Sequence, residues 1–242
     1  MLDKIRSIQF VMIVSFISSL VLAFVAMSLK PKIDKNVLLD KKQSILKSID
    51  IDVSNLSSEE LDQKYNLHIQ EMVIDKNGFI QNDIALTELV WIENKGSGIT
   101  NYIFESDNQK YINEFFPIYK TSAPDGYIIP ISGKGLWSTL FGYFAIDANN
   151  YSTVKGITFY KHKETPGLGG EVSKKWFQNN FIGKEIYNEK ELVSIIVAKA
   201  GYADKNNLYE VDGISGATIT SNGVSSFLKR DLKRYEKYFT NN

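Results

Sequence analysis

The sequence predicts an α+β protein in which a single N-terminal transmembrane helix precedes one domain with an antiparallel-rich sheet and flanking helices. Three observations predict this fold class. Residues 8–29 form an uncharged run of 22 residues, about the length that a helix needs to cross the hydrocarbon core of a bilayer. From Leu67 onward, apolar and polar residues alternate as in half-buried strands. The last segment shows the three- and four-residue apolar spacing of an amphipathic helix.

The run at residues 8–29 is interpreted as an uncleaved membrane anchor. A buried core helix would carry a polar stripe, and the four serines of this run form only a weak one. A cleaved signal peptide would have a shorter apolar region and an Ala-x-Ala site, whereas Ala23 and Ala26 are three positions apart. The flanking charges leave the orientation open. Six lysines within residues 30–47 would place the large domain in the cytoplasm, but long domains translocate largely regardless of charge.

The domain organisation follows from this anchor. We expect an anchor at residues 1–30, a membrane-proximal region of helix and strand at residues 31–110, and the functional core at residues 111–242. Residues 31–242 would form one continuous soluble domain. A helix is predicted at residues 31–50, and Ser57 with Glu60 predicts a capping box that opens a short helix to about Tyr65.

Strand patterns fill the middle of the chain. They are predicted at residues 68–80, with a turn at Asn77 and Gly78, and at residues 111–119 and 126–131. Residues 136–147 and 153–161 predict a hairpin with Asn149 and Asn150 in its turn, and residues 191–200 fit a strand or a helix equally well. The terminal helix is predicted from its apolar positions, which are Val224, Phe227, Leu228, Leu232, Tyr235 and Phe239.

Composition excludes several classes of function. Lys plus Arg and Asp plus Glu both number 28, so no basic field exists to attract nucleic acid, and no nucleic-acid partner is expected. The chain has no cysteine, which excludes disulfides, cysteine-ligated iron–sulfur clusters and thiol nucleophiles. Its two histidines, His68 and His162, do not have zinc-like spacing, so neither a metal site nor a histidine-based catalytic triad is expected.

Three glycine-containing segments are candidates for chemistry, at residues 132–137, 164–170 and 212–222. The third is small and rich in hydroxyl groups, and it directly precedes the terminal helix. Ser221 or Asn222 would cap that helix, whose N-terminus would suit a phosphate group, and Gly216 and Ala217 would leave room for a ligand. An ordinary strand–turn–helix with a Ser/Thr cap fits the same residues and is the more common arrangement.

The Asp-x-x-Ser-Gly-Ala-Thr pattern at residues 212–218 resembles the covalent flavinylation motif of the FMN-binding domain family. The resemblance implies that a flavin transferase moves FMN from FAD onto the hydroxyl of the last threonine, which is Thr218. Residues 133–137 and 164–169, together with the single anchor, look like the NqrC family, the C subunits of sodium-translocating NADH:quinone reductases. This likeness covers the architecture of the whole chain and is strongest over residues 130–228.

The resemblance also implies roles for the neighbouring residues. Thr165 and Ser215 would hydrogen-bond the flavin or its phosphate, glycines would let the backbone approach the ring, and apolar side chains would contact it. The implied cofactor-binding residues are Thr218 (covalent FMN), Ser215, Gly216, Ala217, Thr165, Gly167, Leu168, Gly169 and Trp137, with no catalytic residue and no metal ligand. Trp137 fits a core position equally well, Glu164 fits a solvated carboxylate, and His162 fits a structural role better than proton donation.

The implied function is that of an electron-relay subunit that is not catalytic alone. Its partners would be the other subunits of a membrane redox complex, and its maturation would need the flavin transferase. The family places such a domain on the periplasmic side of a bacterial inner membrane. Two alternatives remain: the G subunit of an Rnf-type ferredoxin:NAD oxidoreductase, and a membrane-tethered binding or assembly module without a cofactor.

Overall fold

The computed structural model describes residues 2–241, with side chains from residue 5 onward, and the chain opens with one long helix. This helix, α1, spans Leu2–Lys47, and all its side chains from residue 5 to residue 38 are exposed. It is long and apolar enough to cross a membrane, with a mean hydropathy of 2.6 over its most apolar window. The chain forms two compact units, Met1–Lys41 and Lys42–Asn242.

The last turns of α1 belong to the second unit. Ser44, Ile45 and Leu46 are buried, in contrast to the exposed residues earlier in the helix. The helix ends at Lys47 rather than at residue 50, because Asp50 has a φ of 57° that no α-helix accommodates. The second unit therefore begins inside a helix.

Helix α2, Ser58–His68, begins at the predicted capping box. The Ser57 side chain accepts a hydrogen bond from the Glu60 N–H, and the Glu60 carboxylate accepts one from the Ser57 N–H. This confirms the sequence prediction, although the helix continues three residues beyond Tyr65 and includes His68. Strand β1, Ile69–Asp75, follows directly.

The central sheet has five antiparallel strands in the order β1-β5-β6-β7-β8. Its later strands are β5 (Phe115–Ser122), β6 (Asp125–Lys134), β7 (Thr139–Asp147) and β8 (Val154–Lys161). Strands β7 and β8 form the predicted hairpin, with Asn149 and Asn150 in the turn. Residues 136–138 were expected in the strand before that turn but lie in the preceding loop, which carries part of the candidate site.

A smaller antiparallel sheet, in the order β2-β3-β4, comes from β2 (Val90–Asn94), β3 (Ile99–Ser106) and β4 (Gln109–Ile112). The prediction of one strand at residues 111–119 is wrong, because two strands of different sheets meet there. Asn113 separates them with a φ of 55°, and its side-chain oxygen accepts a hydrogen bond from the Tyr102 N–H at 3.0 Å.

Short elements connect β8 to the last helix. They are α3 (Lys175–Gln178), β9 (Tyr187–Asn188), β10 (Glu191–Leu192), β11 (Ile196–Val197) and β12 (Glu210–Val211). Residues 191–200, which fitted strand or helix, thus contain two strands of two residues each. Val193 and Ser194 both donate their N–H groups to the Ile186 carbonyl, which bends the chain between those strands.

Helix α4, Thr218–Asn241, packs along β6, and it confirms the predicted terminal helix. All six apolar positions named for it are buried, and they join one hydrophobic core with the sheet and the short elements. The helix approaches β6 closely at Gly133, where a Cβ atom would overlap the Phe227 side chain. Asp231 is also buried and accepts a hydrogen bond from the Ser132 N–H at 2.8 Å.

Candidate cofactor site

The carboxylate of Glu164 lies where the three glycine-containing segments meet. It accepts hydrogen bonds from three consecutive backbone N–H groups, those of Leu136 (3.1 Å), Trp137 (2.9 Å) and Ser138 (2.9 Å). Only 5% of Glu164 is exposed, so the interpretation of this residue as a solvated carboxylate is wrong. The loop at residues 134–138 resembles an anion-binding loop, and its anion is this internal carboxylate.

The third segment joins the same carboxylate through Thr220. The Thr220 hydroxyl, which lies in the first turn of α4, donates to Glu164 Oε2 at 2.8 Å. Burial by itself would raise the pKa of the Glu164 carboxyl. The hydrogen bonds from Thr220 and from the backbone N–H groups outweigh that effect and lower the pKa below its ordinary value. Glu164 is therefore a buried anion at neutral pH, and directed hydrogen-bond donors stabilise its charge.

Two glycines make room for this carboxylate. A Cβ atom on Gly135 would lie 2.7 Å from Glu164 Oε1, and one on Gly169 would lie 2.6 Å from Thr220 Oγ1. Side chains at these positions would therefore displace the contacts that join the segments. Gly167 differs, because no atom lies within 4 Å of its Cβ position and its φ of 76° disfavours other residues. The side of Gly167 that would carry a Cβ atom faces open space, while its N–H donates to Glu171 Oε1 at 3.3 Å.

Thr218 is the first residue of α4. The expectation that Ser221 or Asn222 caps this helix is wrong, because the Ser221 N–H already donates to the Ala217 carbonyl at 2.9 Å, a helical hydrogen bond. The Ser221 hydroxyl accepts from the Ile214 N–H at 3.3 Å and so fixes the approach to the helix. The first N–H groups of a helix have no partner within it. In α4 these groups begin at Thr218, the last residue of the candidate motif.

The four hydroxyl groups of the motif segment divide into two classes. Thr220 and Ser221 are about 1% and 2% exposed, and each makes the hydrogen bond described above. Ser215 and Thr218 are exposed. Among these four, only Ser215 and Thr218 are therefore accessible to an external reagent. Of these two, Thr218 lies in α4, as its first residue, and Ser215 lies before the helix.

The remaining motif residues shape the turn before α4. Asp212 Oδ1 accepts a hydrogen bond from the Gly201 N–H at 2.7 Å, which ties the motif to the preceding loop. Gly216 has a φ of 73°, and a Cβ atom there would lie 2.9 Å from Leu168 Cδ2. Ala217 is buried. The loop at residues 164–170 and the motif are thus in contact through Leu168.

Apolar side chains around this junction point into solvent. Trp137 is 68% exposed, which excludes the core position that the sequence left open, and Leu136, Leu168 and Ile219 are between 43% and 58% exposed. Thr165 is also exposed, and its carbonyl accepts the N–H groups of Leu168 and Gly170. An exposed hydroxyl at a helix N-terminus, beside exposed apolar and aromatic surface, fits a phosphate-linked planar ring.

The structure adds Glu164, Thr220 and Ile219 to the residues expected at the site. Glu164 is part of one of the three glycine-containing segments, but no sequence signal indicates its partners. The His162 Nδ1 accepts the Glu164 N–H at 3.2 Å. Partial burial lowers the pKa of His162, so its ring is neutral at pH 7.

Comparison with known proteins identifies the family. Residues 135–233 match the family model described as the FMN-binding domain. This range contains the second and third glycine-containing segments completely and the first from Gly135 onward. The C subunit of the Na(+)-translocating NADH-quinone reductase of Yersinia pestis is 32% identical over 242 aligned residues, covering 91% of this chain and 85% of that protein. The chain belongs to the NqrC family of Na(+)-translocating NADH-quinone reductase subunits. The protein of the same name from Vibrio anguillarum is 34% identical and covers 92% of this chain and 88% of that protein.

Solved structures agree with this assignment. The crystal structure of the corresponding C subunit from Parabacteroides distasonis is 32% identical, with a TM-score of 0.68 over 88% of this chain and 98% of that chain. The structure of NqrC from Shewanella oneidensis, at 21% identity and a TM-score of 0.66 over 86% of this chain and 96% of that chain, supports the fold alone. The predicted α+β fold and the resemblance to the NqrC family are confirmed.

Proposed function

We propose that this chain is the electron-relay subunit of a sodium-pumping NADH:ubiquinone oxidoreductase, with FMN bound covalently through a phosphoester to Thr218. The observation that carries the proposal is the position of Thr218. It lies at the end of the Asp-x-x-Ser-Gly-Ala-Thr pattern, its side chain is exposed, and it is the first residue of a 24-residue helix.

The surroundings of Thr218 favour a phosphate group. A helix N-terminus combines free N–H donors with a partial positive charge, and both stabilise an anion bound there. The loop at residues 134–138 does not compete for that anion, because its N–H groups already bind Glu164. A phosphodiester carries about one negative charge instead of the roughly two of a phosphomonoester, so less charge has to be accommodated.

The ring would lie on the exposed apolar surface beside the helix. Trp137, Leu168 and Ile219 offer planar and aliphatic contacts, and the turn at Gly167 leaves the backbone accessible. Thr165 and Ser215 are exposed hydroxyls within the same two segments and are proposed to hydrogen-bond the cofactor. FMN supplies the redox chemistry, while these residues hold and orient it.

Attachment requires a second protein. A flavin transferase would join the Thr218 oxygen to the FMN phosphorus of FAD, breaking the pyrophosphate bond. AMP then leaves, and the hydroxyl proton is released. Among the described residues, no carboxylate or imidazole hydrogen-bonds the Thr218 hydroxyl, and the nearby Glu164 is already bound by Thr220 and by backbone donors. We therefore assign deprotonation of the hydroxyl to the transferase.

The chain is proposed to act within a complex of other membrane redox subunits. It contains no dinucleotide-binding glycine fingerprint for NADH and no cysteine for an iron–sulfur cluster. An exposed cofactor suits a relay, because redox partners must approach it, and a covalent bond prevents its loss. Helix α1 would anchor the subunit in a bacterial inner membrane, with the FMN domain on the periplasmic side.

The test uses in-gel fluorescence after denaturing electrophoresis. Full-length protein made with a flavin transferase should give a fluorescent band. Thr218→Ala should abolish it, because no acceptor hydroxyl remains at this position. Ser226→Ala is the matched control, since it removes an exposed hydroxyl later on α4, outside the candidate site, and should stay fluorescent. A dark wild-type band would favour a cofactor-free module, and a bright Thr218→Ala band would refute the assignment of the attachment residue.

A further inference from the structure

We infer that Glu164 is a positioning residue for the modification of Thr218, acting through its hydrogen bond from Thr220. The inference rests on the proposed function and concerns how the acceptor hydroxyl is presented. Glu164 lies 54 residues before Thr218 in the sequence, and it touches the first turn of α4 through Thr220. The bond holds that turn against the loop at residues 134–138.

The donors to Glu164 come from two sides. Four belong to the loop: the N–H groups of Leu136, Trp137 and Ser138, and the Ser138 hydroxyl at 3.3 Å. The fifth is the Thr220 hydroxyl, which comes from α4. Four hydrogen bonds therefore hold the carboxylate on the loop, and the bond from Thr220 connects it to α4. Loss of the Thr220 hydroxyl would leave the hydrogen bonds between the loop and Glu164 in place and remove only the bond between Glu164 and α4.

Because of helix geometry, the bond between Thr220 and Glu164 also determines the direction in which the Thr218 side chain points. Successive residues of an α-helix differ by about 100°, so Thr218 and Thr220 point about 200° apart, in nearly opposite directions. Thr220 is buried against Glu164, and Thr218 is exposed. Holding Thr220 inward thus holds Thr218 outward. The same bond withholds the Thr220 hydroxyl from modification, so that only one of the two threonines in this turn is presented.

The site requires a carboxylate rather than an amide. Oε1 accepts the N–H groups of Trp137 and Ser138, and Oε2 accepts Leu136 N–H and the Thr220 hydroxyl. Glutamine has the same shape but carries one NH₂ group. Either orientation of that amide would set NH₂ against at least one backbone N–H donor. Glu164→Gln should therefore disturb the loop, whereas the Thr220 hydroxyl, which can donate or accept, can still bond either end of the amide. Thr220→Val should disturb only the contact with α4.

The experiment measures the initial rate and the final extent of flavinylation of full-length, flavin-free protein by transferase and FAD. Thr220→Ser retains the hydroxyl and should react at close to the wild-type rate. Thr220→Val retains the shape without the hydroxyl and should react about ten- to a hundredfold more slowly, the scale expected for a misplaced reacting group. Thr240→Val, which removes an exposed hydroxyl elsewhere on α4, is the matched control and should react normally.

Two readouts separate positioning from folding. A folding defect lowers the final extent of modification, whereas mispositioning lowers the initial rate and leaves the final extent unchanged. Amide hydrogen exchange of the flavin-free protein should rise at residues 136–138 in Glu164→Gln and stay unchanged there in Thr220→Val.

The inference fails if Thr220→Val reacts as fast as Thr220→Ser, or if its rate and final extent fall together. Thr220→Ala provides a second hydroxyl-free variant should Thr220→Val not fold, and the same comparison decides. Either failure leaves the proposed function intact, provided that the wild type is labelled and Thr218→Ala is not. A wild type that takes no label refutes the proposed function instead.

Discussion

The hydroxyl of Ser44, near the end of α1, donates to the hydroxyl of Thr158 in β8 at 2.7 Å, and Thr158 donates in turn to the Ser44 carbonyl at 3.0 Å. Both residues are buried. The end of α1 is thus part of the core of the second unit. Gly156 of β8 lies at this contact. A Cβ atom on Gly156 would overlap the Ser48 carbonyl oxygen. The soluble unit needs the last turns of the helix that precedes it.

Two truncations test this boundary. A chain that begins at Lys42 should be soluble without detergent and fully folded, because residues 42–49 retain the buried side chains of Ile45, Leu46 and Ile49. A chain that begins at Asp50 loses these three, and each buried aliphatic side chain contributes about 1.5–3 kcal/mol. Its melting temperature should fall by many degrees, or it should fail to fold. Equal melting temperatures for the two chains would contradict the assignment of this turn to the core.

The close approach of α4 to β6 at Gly133 gives a second prediction. Gly133→Ala would place a Cβ atom on Phe227, which is 2% exposed and has no room to move. Overpacking of this kind costs about 1–3 kcal/mol, so we expect that loss in the free energy of unfolding from urea titration. Gly96→Ala is the control, because its Cβ would meet only the Asn94 side chain, at 3.3 Å. Similar losses in both variants would show that helix packing is not the cause.

Local patterns were enough to predict much of this fold. Ser57 and Glu60 are three residues apart, and the apolar positions of α4 repeat within one helix, so the chemistry of each is contained in a short window. The hairpin of β7 and β8 was predictable for the same reason. The break at Asn113 was not, because its side chain bonds Tyr102 on another strand, eleven residues away.

The candidate site was predicted in part. The motif ending at Thr218 identified the segment, but the partners of Glu164 lie 26 to 28 residues away in one direction of the chain and 56 in the other. Such contacts leave no periodic signal. The predicted start of α4 was wrong because serine is a favoured capping residue, and Ser221 was taken as the cap. In the structure the helix has already begun at Thr218, and the Ser221 hydroxyl accepts a hydrogen bond from the Ile214 N–H.

The ionised state of Glu164 predicts a specific pH dependence of stability. Its donors lower its pKa in the folded protein below the ordinary value of 4.5. A carboxyl with a lowered folded pKa contributes stability above its unfolded pKa and loses it as the pH falls through the folded value. The wild type should therefore exceed Glu164→Gln in stability at pH 7, by about 1.5–3 kcal/mol for bonds to a charged group. This difference should shrink below about pH 4.5.

Thermal unfolding at pH 7, 5, 4 and 3 measures the effect. Glu105→Gln is the control, because Glu105 is exposed and pairs only at the surface with Lys110, so its replacement should change stability by less than about 1 kcal/mol. A difference between wild type and Glu164→Gln that stays constant from pH 7 to pH 3 would contradict an ionised Glu164.

The orientation of the soluble unit is open to a direct measurement, because the chain has no cysteine of its own. Ser226→Cys introduces one thiol at an exposed position of α4. With the unit in the periplasm, a membrane-impermeant maleimide should label this thiol in intact cells after the outer membrane is made permeable, and the cysteine-free parent gives the background. Opening the inner membrane should then add little label. Labelling that appears only after the inner membrane is opened would place the unit in the cytoplasm, as the lysines after residue 29 suggest when counted literally.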